Sequence, residues 1–398
     1  MNTFDHIRLV EEFSAHNYEP LPVVLSRGEG VWVEDIEGRR YLDMLSSYSA
    51  LNQGHRHPKV LAAMHEQMGR LCLTSRAFHH DQFGMFCRAL TRTCGFEQVL
   101  LMNTGAEAVE TAIKCARRWG YITRKVADDR AEIIVCQNNF HGRTTTIVGF
   151  SSEMLYRDGF GPFAPGFRMI PFNDVAALEK AVNRNTVAFL VEPIQGEAGI
   201  RVPADGYLAA CREICTENGI LLMADEIQTG LGRTGRLFCY EYDNARPDVL
   251  IVGKALGGGC FPVSGILASK EIMSVFVPGN HGSTFGGNPL ACAVGRAALE
   301  VIVEEKLADN ARTMGAYLRE RILALESPHV AEVRGKGLLL GIEIRPESGP
   351  ARPFCERLMK LGILAKETHG TVIRLAPPLV IKQEEVDWAL ERIGQVLK

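Results

Sequence analysis

The chain has 398 residues, 46% hydrophobic and 23% charged, and its 44 basic and 47 acidic side chains leave a net charge of −3. That length exceeds what one core usually holds, so two domains, or one large and one smaller, are expected. So even a charge balance gives no electrostatic footing for nucleic acid or a membrane surface, and no apolar run approaches the ~20 residues that cross a bilayer.

Residues 1–30 open with a helical pattern and then reach His16-Asn17-Tyr18-Glu19-Pro20-Leu21-Pro22, whose prolines forbid regular structure and mark an arm. Alternation on either side of residues 35–38 predicts a hairpin, which leads into the small, polar loop Ser46-Ser47-Tyr48-Ser49-Ala50-Leu51-Asn52-Gln53-Gly54-His55. Tyr18 and Tyr48, both in irregular segments, read either as half-buried aromatics or as residues facing a ligand. The pattern is helical from Pro58 to about Thr93, and Val99-Leu100-Leu101-Met102-Asn103 reads as a strand. Apolar positions 106, 109, 112, 113 and 116 then form one helix face. A strand passing through Thr104-Gly105 into a helix start presents unpaired N–H groups to an anion, while Thr104 and Glu107 also spell a capping box.

Ile133-Ile134-Val135-Cys136 is the next strand, and the Phe140-His141-Gly142-Arg143 that follows suits stacking on a ring and holding a carboxylate. Residues 187–191 repeat the theme, with Glu192 and Glu197 just beyond an apolar strand. Helical segments at 174–182 and 206–218 alternate with these strands, which describes an α/β fold with a mostly parallel sheet flanked by helices. Ile220-Leu221-Leu222-Met223-Ala224-Asp225 ends in an acid, and 29 positions later Val249-Leu250-Ile251-Val252-Gly253-Lys254 ends in an amine. A buried ammonium is costly unless neutralised or paired, and a desolvated lysine is the form that attacks carbonyls. A surface lysine or a structural ion pair is the plain alternative. An amine and a carboxylate at one sheet edge are also the pair that pyridoxal phosphate needs.

Gly230-Leu231-Gly232-Arg233-Thr234-Gly235 matches a dinucleotide fingerprint, but no convincing crossover helix follows it, so a loop is expected. Gly253-Lys254 resembles the tail of a P-loop, yet Asp248 and Ala255 stand where that motif needs glycine and a hydroxyl. After the strand at 263–268, the glycine- and hydroxyl-rich stretch 279–289 reads as a phosphate cradle or a simple turn. One long helix from Pro289 to about Ala324 is expected to lead into a compact α+β unit: an apolar stretch at 336–344, a helix near 350–361, a strand near 371–376 and a final helix at 383–397. Arg374, in the middle of that apolar strand, needs a partner. Eleven cysteines without a CxxC pair or a neighbouring His cluster read as reduced core residues, with no metal site and no disulfide framework. No apolar signal core opens the chain, and Asp5, Glu11 and Glu12 are wrong for a transit peptide, so a cytoplasmic setting is expected.

Together, Asn103-Thr104-Gly105-Ala106-Glu107-Ala108, Phe140-His141-Gly142-Arg143, Glu192-Pro193-Ile194-Gln195-Gly196-Glu197, Asp225-Glu226-Ile227-Gln228-Thr229-Gly230 and Gly253-Lys254-Ala255-Leu256-Gly257-Gly258-Gly259 resemble, in order and spacing, the class III (subgroup II) pyridoxal-phosphate aminotransferases of fold type I. His16-Asn17-Tyr18 and the loop 46–55 are similar to the branch that acts on ornithine.

The resemblance implies a large cofactor-binding domain over 50–288, and a small domain built from the arm and hairpin of 1–49 and the linking helix and C-terminal part of 289–398. It implies that Lys254 bonds to pyridoxal phosphate and later shuttles a proton, that Asp225 pairs with the pyridine nitrogen, that Phe140 stacks on the ring and that Gln228 meets the phenolic oxygen. Thr104, Gly105, Ala106 and His141 complete the cofactor's surroundings in one subunit, with Ser283 and Thr284 at the phosphate across a dimer interface; a homodimer or dimer of dimers is expected. Tyr18 and Arg143 are implied as holders of ornithine's α-carboxylate, and Tyr48 as shaping the pocket. Glu197 is implied to cover Arg374 until 2-oxoglutarate needs it, with Glu192 behind the site. Acetylornithine or 4-aminobutyrate as donor, and a non-catalytic cofactor-binding protein, are the alternatives.

Overall fold

The computed structural model describes residues 1–398. The apolar runs assemble into a seven-stranded sheet in the order Gln98–Met102, Ser264–Ala268, Val249–Val252, Leu221–Asp225, Thr186–Val191, Glu132–Cys136, Phe167–Ile170. Neighbours from Val249–Val252 to Phe167–Ile170 pair in parallel, whereas Ser264–Ala268 runs antiparallel to both of its neighbours. Successive side chains point to opposite faces, and a parallel sheet is covered on both. Accordingly Ile133, Val135, Leu221, Met223, Val249 and Ile251 pack towards the helix Gly105–Ile122. Ile134, Cys136, Phe189 and Leu222 face the other way, onto Val175–Ala181 and Tyr207–Glu217. Because the parallel strands share a direction, their C-terminal ends bring Glu192, Asp225 and Lys254 to one edge, where open α/β sheets bind ligands.

Two four-stranded sheets flank this core. One contains Leu25–Glu29, Trp32–Asp35, Arg40–Asp43 and Ile363–Leu364; the last pair is parallel, joining residues from the two ends of the chain. The other is antiparallel: Val330–Lys336, Leu339–Ile344, Val372–Leu375 and Lys366–Thr368.

Three stretches differ from expectation. The helical run of 58–93 is two helices, Pro58–Met68 and Asp81–Cys94; between them Leu71, Leu73 and Phe78 are exposed, so no apolar stripe holds a helix against the core. The long helix stops at Glu304 and restarts at Leu307, because Lys306 takes a left-handed φ of 52°. The stretch 336–344 carries a tight turn, at Gly337, into the second arm of a hairpin. There φ is +55° and a Cβ would stand 2.4 Å from the carbonyl carbon of Thr234, so only glycine lets the two backbones meet.

Candidate active site

Lys254 leaves the strand Val249–Val252 through Gly253 and opens a short 3-10 turn with φ of 45°, a strained conformation for a non-glycine residue. It lines a cavity of about 200 Å³ with Gly105, Ala106, Phe140, His141, Glu192, Glu197, Asp225 and Gln228. Desolvation pulls the Lys254 ammonium down to about 8, against the opposing pull of Glu197. Asp225, at its strand end, is buried; one carboxylate oxygen accepts from His141 Nδ1 at 2.7 Å and the other from the Ile227 N–H at 3.1 Å. Burial works against a charged imidazole, but Asp225 outweighs it and raises His141, whose Nε2 is buried without a partner.

Glu192 accepts the Phe140 N–H at 2.9 Å, and burial pushes its carboxyl up to about 8. The Phe140 ring meets Tyr156 edge-on at 6.0 Å, and Arg143 stacks over Tyr156 at 3.9 Å. Thr104 caps the helix Gly105–Ile122: its hydroxyl accepts the Glu107 N–H at 3.3 Å and Glu107 accepts the Thr104 N–H at 2.8 Å. Thr104 is exposed, whereas Gly105 and Ala106, the first helical residues, line the cavity with N–H groups that the cap does not use. A Cβ at Gly105 would press on Ile227 at 3.1 Å, and one at Gly196 would overlap the Gln228 amide oxygen at 1.5 Å.

A wider cavity of about 770 Å³ adjoins this one through Phe140 and Glu197, and is lined by Tyr18, Tyr48, Arg143, Tyr156 and residues 366–369. Arg374, 2% exposed, finds its partner here: Glu197 accepts from both of its terminal nitrogens, at 2.8 and 2.9 Å. Desolvation opposes ionisation of Glu197, yet the charge and hydrogen bonds of Arg374 prevail and hold it at about 2. Gln228 donates to the same Glu197 at 3.2 Å. Tyr48 lays its ring against Arg374 at 5.1 Å, while Tyr18 is exposed at the cavity mouth.

The structure thus gathers Lys254, Asp225, His141, Phe140, Gln228, Glu192, Glu197, Gly105 and Ala106, with Tyr18, Tyr48 and Arg143 in the adjoining space. It does not bring Ser283 or Thr284 to them within one chain. Ser283 accepts from Asn103 Nδ2 at 2.9 Å in a separate open groove, and Thr284 is exposed. Sequence reasoning missed Tyr156, which sits in a single helical turn, Met154–Arg157, with no distinguishing pattern. It also read residues 46–55 as a loop without seeing that Ser46, Ser47, Tyr48 and Ser49 all have φ between 44° and 74°. Such a left-handed turn costs roughly 1–2 kcal/mol per residue, so its surroundings must hold it. Asp43 accepts the N–H groups of Leu45 and Ser46 at 2.9 and 2.8 Å, and Ser46 Oγ donates to the Ala376 carbonyl at 2.6 Å.

An amine, a buried carboxylate, an aromatic face and free helix-start amides fit a planar aldehyde carrying a ring nitrogen and a phosphate. The chain matches the family Aminotransferase class-III over residues 13–397. It is 57% identical to an ornithine aminotransferase from Geobacillus sp. (strain WCH70), over 99% of this chain and 98% of that one. Its fold overlays the ornithine aminotransferase of Toxoplasma gondii, crystallised with partial occupancy of PLP at its active site, with a TM-score of 0.98 at 45% identity, covering 100% of this chain and 94% of that one. An acetylornithine aminotransferase from Elizabethkingia anophelis gives 0.91 at 47% identity, covering 100% and 99%. Matched along nearly its whole length by family and relatives alike, this chain belongs to the class-III aminotransferases.

Proposed function

We propose that this enzyme transfers the δ-amino group of ornithine to 2-oxoglutarate, yielding glutamate 5-semialdehyde and glutamate, with pyridoxal phosphate seated in the inner cavity. The cofactor, when bound, supplies an aldehyde that captures amines and a ring that withdraws electrons from the substrate carbon. Burial draws Lys254 down to about 8, so more of it is neutral near pH 7 than of an exposed lysine, and it is the residue that would hold the cofactor covalently. With the cofactor bound and the lysine freed by a substrate amine, Lys254 Nζ would be the group placed to move the proton released from the substrate carbon. Asp225, oriented by His141, would keep a proton on the ring nitrogen. Phe140, steadied through its backbone by Glu192, would cover the ring, and Gln228 would meet its phenolic oxygen. Gly105 and Ala106 would donate to the phosphate at the helix start, with Thr104 closing the cap beside it.

The observation that carries the donor reading is the closed Arg374–Glu197 pair. With that guanidinium occupied, an α-amino acid has no docking group for its carboxylate beside Lys254, and a donor enters by its terminal amine. Arg143 and Tyr18 then hold ornithine's α-carboxylate, and Tyr48 narrows the path. When Glu197 swings away, Arg374 binds the α-carboxylate of 2-oxoglutarate. Ser283 and Thr284 reach the phosphate from a second copy of the chain, which makes the working unit a homodimer, or a dimer of dimers, with shared sites. Each copy brings a small domain, residues 1–49 with 289–398, against the cofactor-binding residues 50–288. Eleven free thiols fit a cytoplasmic setting; no helix is long and apolar enough to cross a membrane.

The Elizabethkingia relative favours one second reading, acetylornithine as donor. Single-turnover half-reactions with ornithine, acetylornithine and 4-aminobutyrate separate them. Ornithine is expected to give the highest kcat/KM, and a higher value for either of the others overturns the donor assignment.

A further inference from the structure

Arg233, in the loop that mimics a dinucleotide fingerprint, has no visible place in this chemistry. It is fully buried, and its four hydrogen bonds all go to neutral oxygens: the carbonyls of Leu338 and Pro377 at 2.8 and 2.6 Å, Ser46 Oγ at 3.0 Å and Asn52 Oδ1 at 2.6 Å. Its Nε has no partner. An apolar side chain here would spare the desolvated charge but leave these buried acceptors without a donor, so the guanidinium ties together the segments that carry them. What the fork does is geometric. One nitrogen grips Ser46, the first residue of the left-handed turn, while the other grips Pro377, three residues after Arg374. Ser46 Oγ itself reaches Ala376, and Asn52 returns a bond to the Leu231 carbonyl at 2.9 Å, closing the loop onto the same body. Tyr48 sits inside the turn thus held, with its ring on Arg374.

We propose that Arg233 is a positioning residue for substrate selectivity: by gripping Ser46 and Pro377 together it fixes the left-handed turn so that Tyr48 stays registered against Arg374. The inference rests on the reading of Arg374 as the α-carboxylate dock. Lysine at 233 keeps the charge but has no planar fork to span both acceptors.

The test compares the ratio of kcat/KM for ornithine to that for glutamate, by single turnover, in Arg233→Lys, Tyr48→Leu and the double variant. Each single change is expected to shift the ratio about tenfold, the scale of one partly buried cation–π contact, and the double variant no further. Adding Ser47→Gly to Arg233→Lys is expected to bring the ratio back towards wild type, because glycine adopts the left-handed conformation without strain. Should Arg233→Lys fail to fold, Ser46→Ala, which removes the gripped hydroxyl and keeps the arginine, is expected to give the same shift. A wild-type ratio in the variant that folds, additive effects with Tyr48→Leu, or no recovery with Ser47→Gly overturns the proposal. Failure of wild type to use ornithine would overturn the donor reading alone; coupling between positions 233 and 48 is then read on whichever amine the wild type accepts.

Discussion

Replacing Glu197 with Gln keeps the shape of the side chain and removes the charge that closes Arg374. The carboxyl of Glu197 falls from 4.5 to about 2 in the folded protein. At roughly 1.4 kcal/mol per pKa unit, that lowering is worth about 3.5 kcal/mol net of desolvation, with Arg374 supplying the largest part and Lys254 and Gln228 the rest. A glutamate or other α-amino donor has to displace this contact before its own carboxylate reaches Arg374, a handicap of about a hundredfold in affinity. Glu197→Gln is therefore expected to raise kcat/KM for glutamate relative to ornithine by about ten- to a hundredfold, the lower figure applying where Gln228 and the new amide still occupy part of the dock. The assay is a single-turnover half-reaction with each donor, followed by the change in cofactor absorbance. A ratio unchanged from wild type would refute the idea that Glu197 is the gate. The variant is also expected to melt at lower temperature, since Arg374 is left 2% exposed without a counter-charge.

Asp225→Asn is expected to lower turnover by more than a hundredfold with little change in melting temperature, because a neutral partner no longer holds the ring nitrogen's proton; near wild-type half-reaction rates would make Asp225 merely structural. Tyr18→Ile is expected to weaken ornithine about tenfold and to favour 4-aminobutyrate, which has no α-carboxylate at that point; the check is KM for both donors. Reconstitution of the cofactor-free protein is expected to slow about tenfold per pH unit below 8 and to level off above it, since only the neutral Lys254 amine attacks. For the Arg374 pair the sign runs the other way: a carboxyl lowered from 4.5 to about 2 contributes its stability in full above pH 4.5 and loses it as pH falls towards 2. Acid unfolding of Glu197→Gln should accordingly lack that part of the pH dependence.

Much of this was legible in the chain because strand-end chemistry is local. An apolar run that ends in Asp225 or Lys254 carries its own position in a parallel sheet, and an arginine inside the apolar strand Val372–Leu375 announces a missing acid. What the sequence did not disclose depends on neighbours distant along the chain. The left-handed turn at Ser46–Ser49 is maintained by Arg233 and by carbonyls more than 300 positions further on, as the bond from Ser46 to Ala376 shows. No propensity pattern of Ser-Ser-Tyr-Ser encodes that. The raised carboxyl of Glu192 likewise comes from burial, helped by the charge of Asp225 and opposed by His141, which its Pro193 neighbour does not foretell. The break at Lys306 falls between good helix formers, Glu304 and Glu305 before it and Leu307 and Ala308 after it, so the pattern carried the helix through.

The central claim, that the terminal nitrogen of ornithine moves to 2-oxoglutarate through Lys254, is tested most directly with ornithine labelled with nitrogen-15 at the δ position. Incubated with the holoenzyme and 2-oxoglutarate, it is expected to yield glutamate carrying the label, while Lys254→Ala, folded and able to bind the cofactor non-covalently, yields none above a trace. Unlabelled glutamate from the wild type, or labelled glutamate from Lys254→Ala at a comparable rate, would contradict the account.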